Sequence, residues 1–172
     1  HDLMPEFLAA KTGANLDGAA VRLMKLQERL ACRFSDRVIT VTAQWRQTLI
    51  GRGVPPEKLA VVMNLADPEV FRRRPDLIRT PDAFIVMYHG TLTHRYGVDV
   101  AIQAVAKLCS DIPGIQLEVY GGGETLESLE AMAKDLDAPA VFKGMVSTSA
   151  VAAAISAADV GIVPNRRDVF TE

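Results

Sequence analysis

Ala83-Phe84-Ile85-Val86-Met87-Tyr88-His89-Gly90-Thr91-Leu92-Thr93-His94-Arg95-Tyr96-Gly97 runs from a continuous apolar stretch into a polar loop closed by glycine. An apolar run from Ala83 to Tyr88 bounded by turn residues reads as a strand buried on both faces. Val98 to Leu108 follows as a helix. The same alternation continues towards the C-terminus: strand Gln116 to Tyr120, ended by Gly121-Gly122-Gly123, then helix Glu124 to Leu136. Strand Ala140 to Lys143, helix Thr148 to Ala158 and strand Asp159 to Val163 complete the series. Strands alternating with helices of this length imply βαβ units and a parallel sheet covered on both faces, so the expected fold class is α/β. Open parallel sheets bind ligands beyond the carboxyl ends of their strands. That places function at residues 88–96, 120–124, 143–147 and 164–167.

Working outward in the other direction, Asp67-Pro68 to Pro81 is charged and carries Pro68, Pro75 and Pro81, the best domain boundary in the chain. The expected division is residues 1–71, a linker at 72–82 that includes the solvated run Arg72-Arg73-Arg74, and residues 83–172. Upstream, Leu16 to Phe34 reads as a basic amphipathic helix. Packing against its own domain is the first reading and a membrane surface the alternative. Arg37 to Thr42 is a short strand, and Thr42 caps a helix through Trp45, Leu49 and Ile50. Gly51 and Gly53 stop it, Val54-Pro55-Pro56 turns the chain, and Leu59 to Met63 is a strand. His1-Asp2 reads as a strand end opening a loop before Pro5. Because the chain starts at His1 and the residues after Val163 form no closing element, truncation at both ends is expected.

Composition narrows the function. The chain has 172 residues, 49% hydrophobic and 23% charged, with a formal net charge of −2. That suits a globular protein with a real core and gives no support to nucleic-acid binding. Charge is uneven: residues up to Asp76 hold 12 Lys/Arg against 9 Asp/Glu, the remainder 7 against 12, as expected of pieces from two domains. Cys32 and Cys109 have no Cys-x-x-Cys spacing and read as reduced core residues of a cytosolic protein. No apolar run reaches the roughly 18–20 residues that span a bilayer. His1, His89 and His94 form no helical metal-binding pair, and no metal is expected. No Gly-x-Ser-x-Gly elbow is present to support a hydrolase.

Two loops carry candidate chemistry. Gly90 lets the backbone approach a ligand, the next helix start favours an anion, and Arg95 can add a bidentate phosphate contact. A plain turn at Gly97 is the competing reading. Gly121-Gly122-Gly123 does not fit the Gly-x-Gly-x-x-Gly fingerprint, and Glu124 and Glu127 would repel a diphosphate there. Close packing, or backbone contact with an uncharged part of a ligand, fits better.

Together these pieces resemble the retaining GT-B glycosyltransferases of family 4, over nearly the whole chain. The resemblance is carried by Ser35-Asp36-Arg37-Val38-Ile39-Thr40-Val41-Thr42, Gly53-Val54-Pro55 with Lys58, and Asn64, Asp67 and Phe71, Leu65 standing where a glycine is usual. It continues with Gly90, Gly97-Val98-Asp99, Val119-Tyr120-Gly121-Gly122-Gly123-Glu124, Phe142-Lys143-Gly144-Met145-Val146, and residues 157–164. It implies Rossmann-like parallel sheets in a two-domain GT-B architecture, with residues 1–71 from the acceptor-side domain and 83–172 from the donor-side domain. It also implies transfer of a hexose-type sugar, with retention, from a UDP- or GDP-sugar to a carbohydrate or lipid-linked acceptor. No cofactor or metal is implied; the location would be cytoplasmic, with the inner face of a membrane as an alternative.

Thr91 and Tyr96 stand where the family usually has the Arg and Lys that neutralise the donor diphosphate. Arg95 is the substitute candidate, with Arg166 and Arg167 as alternatives. The base and ribose should lie against Gly121, Gly122, Lys143, Gly144 and Met145, with Asn165 and Arg166 on the last donor loop. The family's paired-glutamate motif would begin near Asp168 or Glu172, and His1 matches a histidine that some members place near the sugar. A catalytically inactive GT-B-like module and a sugar-nucleotide epimerase of similar architecture are the alternatives.

Overall fold

A computed structural model describes residues 3–13, 15–74 and 82–167. The chain divides into two compact units, one reaching Leu65 and the other running from Ala66 to Arg166.

In the first unit, helices α1 (Met4–Thr12), α2 (Ala19–Phe34) and α3 (Ala43–Gly51) accompany strands β1 (Val38–Thr40) and β2 (Leu59–Val61). β1 and β2 pair in parallel, with Val38 opposite Leu59. The strand end and loop expected at His1-Asp2 lie outside the described residues, and helix α1 is an element the sequence reading did not include. Proline is preorganised for the first turn of a helix, and Gly13, left-handed at φ 67°, closes α1. α2 begins later than its apolar pattern because Asn15 makes a local turn, its side chain accepting from the Asp17 amide at 2.9 Å. Thr42 caps α3 as its sequence implies, accepting from the Trp45 amide at 3.1 Å.

Two cations hold this unit together. Arg52 pairs with Glu6 of α1 and, at 2.6 Å, with Glu28 of α2. Lys58 donates to the Arg33 and Ser35 carbonyls at 2.9 Å each, which satisfies the end of α2. The core is Leu3, Cys32, Leu49, Val54 and Leu59. Burial, then the Glu28 charge, push the Cys32 thiol above its ordinary pKa. α2 buries Val21 and Cys32, while Leu23, Leu26, Leu30 and Phe34 form an exposed stripe on its other side. No helix among the described residues is long and apolar enough to cross a membrane.

The second unit contains β3 (Phe84–His89), α4 (Val98–Leu108), β4 (Ile115–Tyr120), α5 (Leu126–Asp135), β5 (Ala140–Gly144), α6 (Thr148–Ala157) and β6 (Val160–Gly161). Its sheet is wholly parallel in the order β5-β4-β3-β6, so the winding reverses at β3. Alternation along β4 sends Ile115, Leu117 and Val119 into a core with Leu92, Val98, Ile102 and Val105. Gln116, Glu118 and Tyr120 take the opposite face, half-buried. Ser147 caps α6, accepting from the Ala150 amide at 3.3 Å.

Two expectations change here. The last strand is shorter than Asp159 to Val163: Asp159 instead turns its carboxylate onto the Ile85 amide at 2.8 Å, leaving a two-residue ladder. Cys109 is exposed rather than buried, since it follows α4 as its C-cap, although both cysteines are free as expected.

Candidate functional site

The carboxyl ends of β3, β4 and β5 open onto a cavity of about 350 Å³. It is lined by Gly90 and Thr91 after β3, Tyr120, Gly121 and Gly122 after β4, and Met145 and Val146 after β5, with His89 and Val151. The loops are tied to each other by their backbones. Gly90 donates to Tyr120 at 2.9 Å, Leu92 to Gly122 at 3.0 Å, and Gly121 to Gly144 at 2.8 Å. The amides of Thr91 and Gly122 have no backbone acceptor among the described residues, so they are available to a ligand.

The three glycines after β4 do different jobs. A Cβ on Gly121, where φ is +133°, would lie 1.9 Å from the Gly90 oxygen, and one on Gly123 would lie 2.2 Å from the Leu92 oxygen. Both positions therefore serve close packing between loops. A Cβ on Gly122 would meet only Met145, at 3.7 Å, so its absence leaves cavity space.

Of the sequence-derived candidates, the cavity gathers Gly90, Thr91, Gly121, Gly122 and Met145. Gly144 supports the wall through its carbonyl, which accepts from Gly121. Arg95, Lys143, Asn165 and Arg166 do not line it. Arg95 lies in a short 3-10 turn, His94–Tyr96, where its carbonyl accepts from the Arg166 amide at 2.9 Å, while Tyr96 packs against the core. Arg166 pairs with Asp99 in the first turn of α4 and donates from Nε to the His94 carbonyl at 3.1 Å. An internal carboxylate thus already occupies the helix start that an anion would favour. His1, Asp168 and Glu172 lie outside the described residues.

A polar network borders the cavity that sequence reading did not single out. Glu118 accepts from the Tyr120 hydroxyl at 2.7 Å and from Lys143 at 3.0 Å. Lys143 is an extra residue in the ladder, because Val119 pairs with Phe142 and Tyr120 with Gly144. Such a bulge re-aims a side chain. Burial and then the Glu118 hydrogen bond push the Tyr120 phenol up to about 12. Period-two alternation alone would have placed Glu118 and Tyr120 on one face at a strand end; the bulge leaves no such signal.

Parallel α/β units with a cavity at their strand ends define the class: a Rossmann-like architecture built to hold a ligand at its loops. The chain belongs to the glycosyl transferases group 1 family, whose model matches residues 71–171, while residues 1–64 match a glycosyl transferase 4-like domain. It is 25% identical over 150 residues to the alpha-galactosylglucosyldiacylglycerol synthase of Streptococcus pneumoniae, a match covering 78% of this chain and 39% of that protein. The chain thus spans about two fifths of that relative. WaaG, a glycosyltransferase involved in lipopolysaccharide biosynthesis, superposes with a TM-score of 0.70 at 18% identity, over 94% of this chain and 48% of its own. Anabaena HepE, solved with UDP and glucose, gives 0.67 at 19% identity, over 81% and 41%. These likenesses establish the fold as that of a GT-B glycosyltransferase fragment with Rossmann-like parallel sheets.

Proposed function

We propose that this chain forms part of a glycosyltransferase that moves a sugar from a UDP- or GDP-sugar to a carbohydrate or lipid-linked acceptor with retention of configuration. In this reading residues 1–71 come from the acceptor-side domain and 83–172 from the donor-side domain. The observation that carries it is the cavity at the ends of β3, β4 and β5, which collects Gly90, Thr91, Gly121, Gly122 and Met145. Its walls are largely apolar and offer backbone amides, which suits the base and ribose of a nucleotide. Family membership supports the reaction, HepE with its UDP and glucose the donor class, and a relative named for diacylglycerol-linked sugar synthesis the acceptor class.

Departure of the diphosphate needs charge stabilisation, usually the largest single contribution to such catalysis. With Thr91 and Tyr96 in place of the usual cations, Arg95 and Arg166 are the groups we assign to it, Asn165 lying on the same loop. Acid at Glu172 and the histidine at His1 complete the proposed catalytic set. One observation favours the alternative of an inactive binding module: both Lys143 and Arg166 are already paired with acids.

Ligand-observed NMR of the 172-residue chain with UDP, GDP and ADP tests the reading. Saturation transfer to at least one of them is expected, and transfer to none overturns it. The inactive module binds equally but neither transfers nor hydrolyses the donor sugar when the chain is joined to the remainder of the enzyme.

A further inference from the structure

The Glu118–Tyr120–Lys143 network has a geometry that close packing alone does not require. Tyr120 lines the cavity, yet its only polar atom is turned away onto Glu118 at 2.7 Å. What the side chain offers a ligand is therefore its ring. Glu118 is in turn held by the bulged Lys143 at 3.0 Å, with side-chain exposures of 17% and 38%. Buried carboxylates are seldom left without such partners. The ion pair also neutralises Lys143 of β5, and no Lys or Arg is among the described residues that line the cavity.

The rest of the wall agrees. Met145, Val146 and Val151 are apolar, Gly122 leaves its side of the cavity open, and the Thr91 and Gly122 amides can meet polar edges. A flat aromatic ligand with hydrogen-bonding edges matches this surface; a diphosphate does not. We propose that Tyr120 determines nucleobase affinity by presenting its ring to the base, and that Glu118, fixed by Lys143, is a positioning residue that holds the ring in place. The inference rests on the nucleotide-binding reading above and assigns a part of it to Tyr120 and Glu118.

The test compares uridine, UDP and inorganic pyrophosphate binding to the 172-residue chain, by ligand-observed NMR titration, across five variants. Tyr120→Ala should weaken uridine about tenfold or more, the scale on which a stacked base depends on its aromatic platform. The ratio of UDP to uridine affinity should stay unchanged, because the ring touches only the base. Tyr120→Phe, which keeps the ring and loses the tether, should weaken uridine only about two- to threefold. Glu118→Ala should weaken uridine by a similar factor, and Glu118→Gln, whose amide oxygen still accepts from the phenol, should restore it. A merely structural role would lower uridine, UDP and pyrophosphate binding together and give no rescue by Gln.

Thermal melts of each variant separate unfolding from a local effect, with Tyr120→Leu as a second variant that keeps an apolar strand residue. Uridine affinity within twofold of wild type in both Tyr120→Ala and Tyr120→Leu overturns the inference while leaving the functional reading intact. Failure of the wild-type chain to bind any of the nucleotides overturns the functional reading itself.

Discussion

Replacing Gly121 by alanine probes the contact on which the candidate site is built. In the structure Gly121 has φ +133° and an added Cβ would lie 1.9 Å from the Gly90 oxygen, which is backbone and cannot rotate aside. Forcing alanine into such a sparsely populated conformation costs about 1–3 kcal/mol. Relieving the clash must also stretch the bonds from Gly90 to Tyr120 at 2.9 Å and from Gly121 to Gly144 at 2.8 Å. Each contributes about 1 kcal/mol. A total of at least about 3 kcal/mol follows, and a unit of about 100 residues loses roughly 4–8 °C per kcal/mol, so its melting transition should fall by at least about 12 °C. Calorimetry reads that transition directly. Gly144→Ala is the control for strain without collision: φ is +69° but nothing lies within 4 Å, so a loss of about 1 kcal/mol is expected. Gly122→Ala is the control for space without strain. Its Cβ makes an ordinary 3.7 Å contact with Met145, so the melt should shift by less than about 4 °C while nucleotide binding weakens. A Gly121→Ala protein that melts within 2 °C of wild type would refute the close approach of the two loops, and with it the cavity's geometry.

Arg52→Met leaves the mostly buried carboxylates of Glu6 and Glu28, each 13% exposed, without their shared cation. Unfolding in urea should show a loss of about 3 kcal/mol in the first unit, largely recovered when both glutamates become glutamine; a loss below about 0.5 kcal/mol would refute the role given to this ion pair. The tyrosines predict a pH dependence. Burial, and a smaller contribution from Tyr96, raise the Tyr88 phenol above its ordinary 10, while Tyr120 rises to about 12. The folded state therefore holds protons that the unfolded chain releases above pH 10, so stability is intact below pH 10 and falls as pH climbs from 10 towards 12. Tyr120→Phe should flatten that decline in alkaline thermal melts, and an unchanged slope would argue against the Glu118 tether.

Much of the second unit was legible because its signals are local and repeated. An apolar run ending at Gly90, another at Gly121 and a third at Gly144 each mark a strand whose carboxyl end must turn, and parallel order follows from the helices between them. The shared position of Gly90, Gly121 and Met145 at one rim follows from that topology. What stayed hidden depends on contacts distant in sequence or on departures from regular pairing. α1 escaped because Pro5 resembles a turn signal and the helix lacks an apolar stripe. The short β6 depends on Asp159 reaching Ile85, and Lys143 meets Glu118 only because of the bulge beside Val119. Lys58 could be noticed from its place beside the Gly-Val-Pro turn, yet its task of closing α2 is visible only through the Arg33 and Ser35 carbonyls.

Charge is where the sequence and the structure meet most closely. By resemblance, Thr91 and Tyr96 stand where two cations for a diphosphate would be expected, and Tyr96 packs on the core. The structure adds that Lys143 and Arg166 are each held by a carboxylate, Glu118 and Asp99 respectively. These two pairs differ in what a diphosphate would do to them. Lys143 pairs with the same carboxylate that accepts from the Tyr120 hydroxyl, so freeing it would take one of two partners from the group that holds Tyr120. Arg166 would have to give up its pair with Asp99 and its Nε bond to the His94 carbonyl, and Asp99 would stay beside the partial positive charge of the helix start, which tolerates a lone carboxylate. In the proposed reading a phosphate would compete for Arg166 away from the cavity wall, and for Lys143 only by taking a partner from Glu118. In the proposed reading the two acids therefore matter as much as the cations: Glu118 pairs with Lys143 beside the aromatic wall, and Asp99 pairs with the guanidinium proposed for the diphosphate.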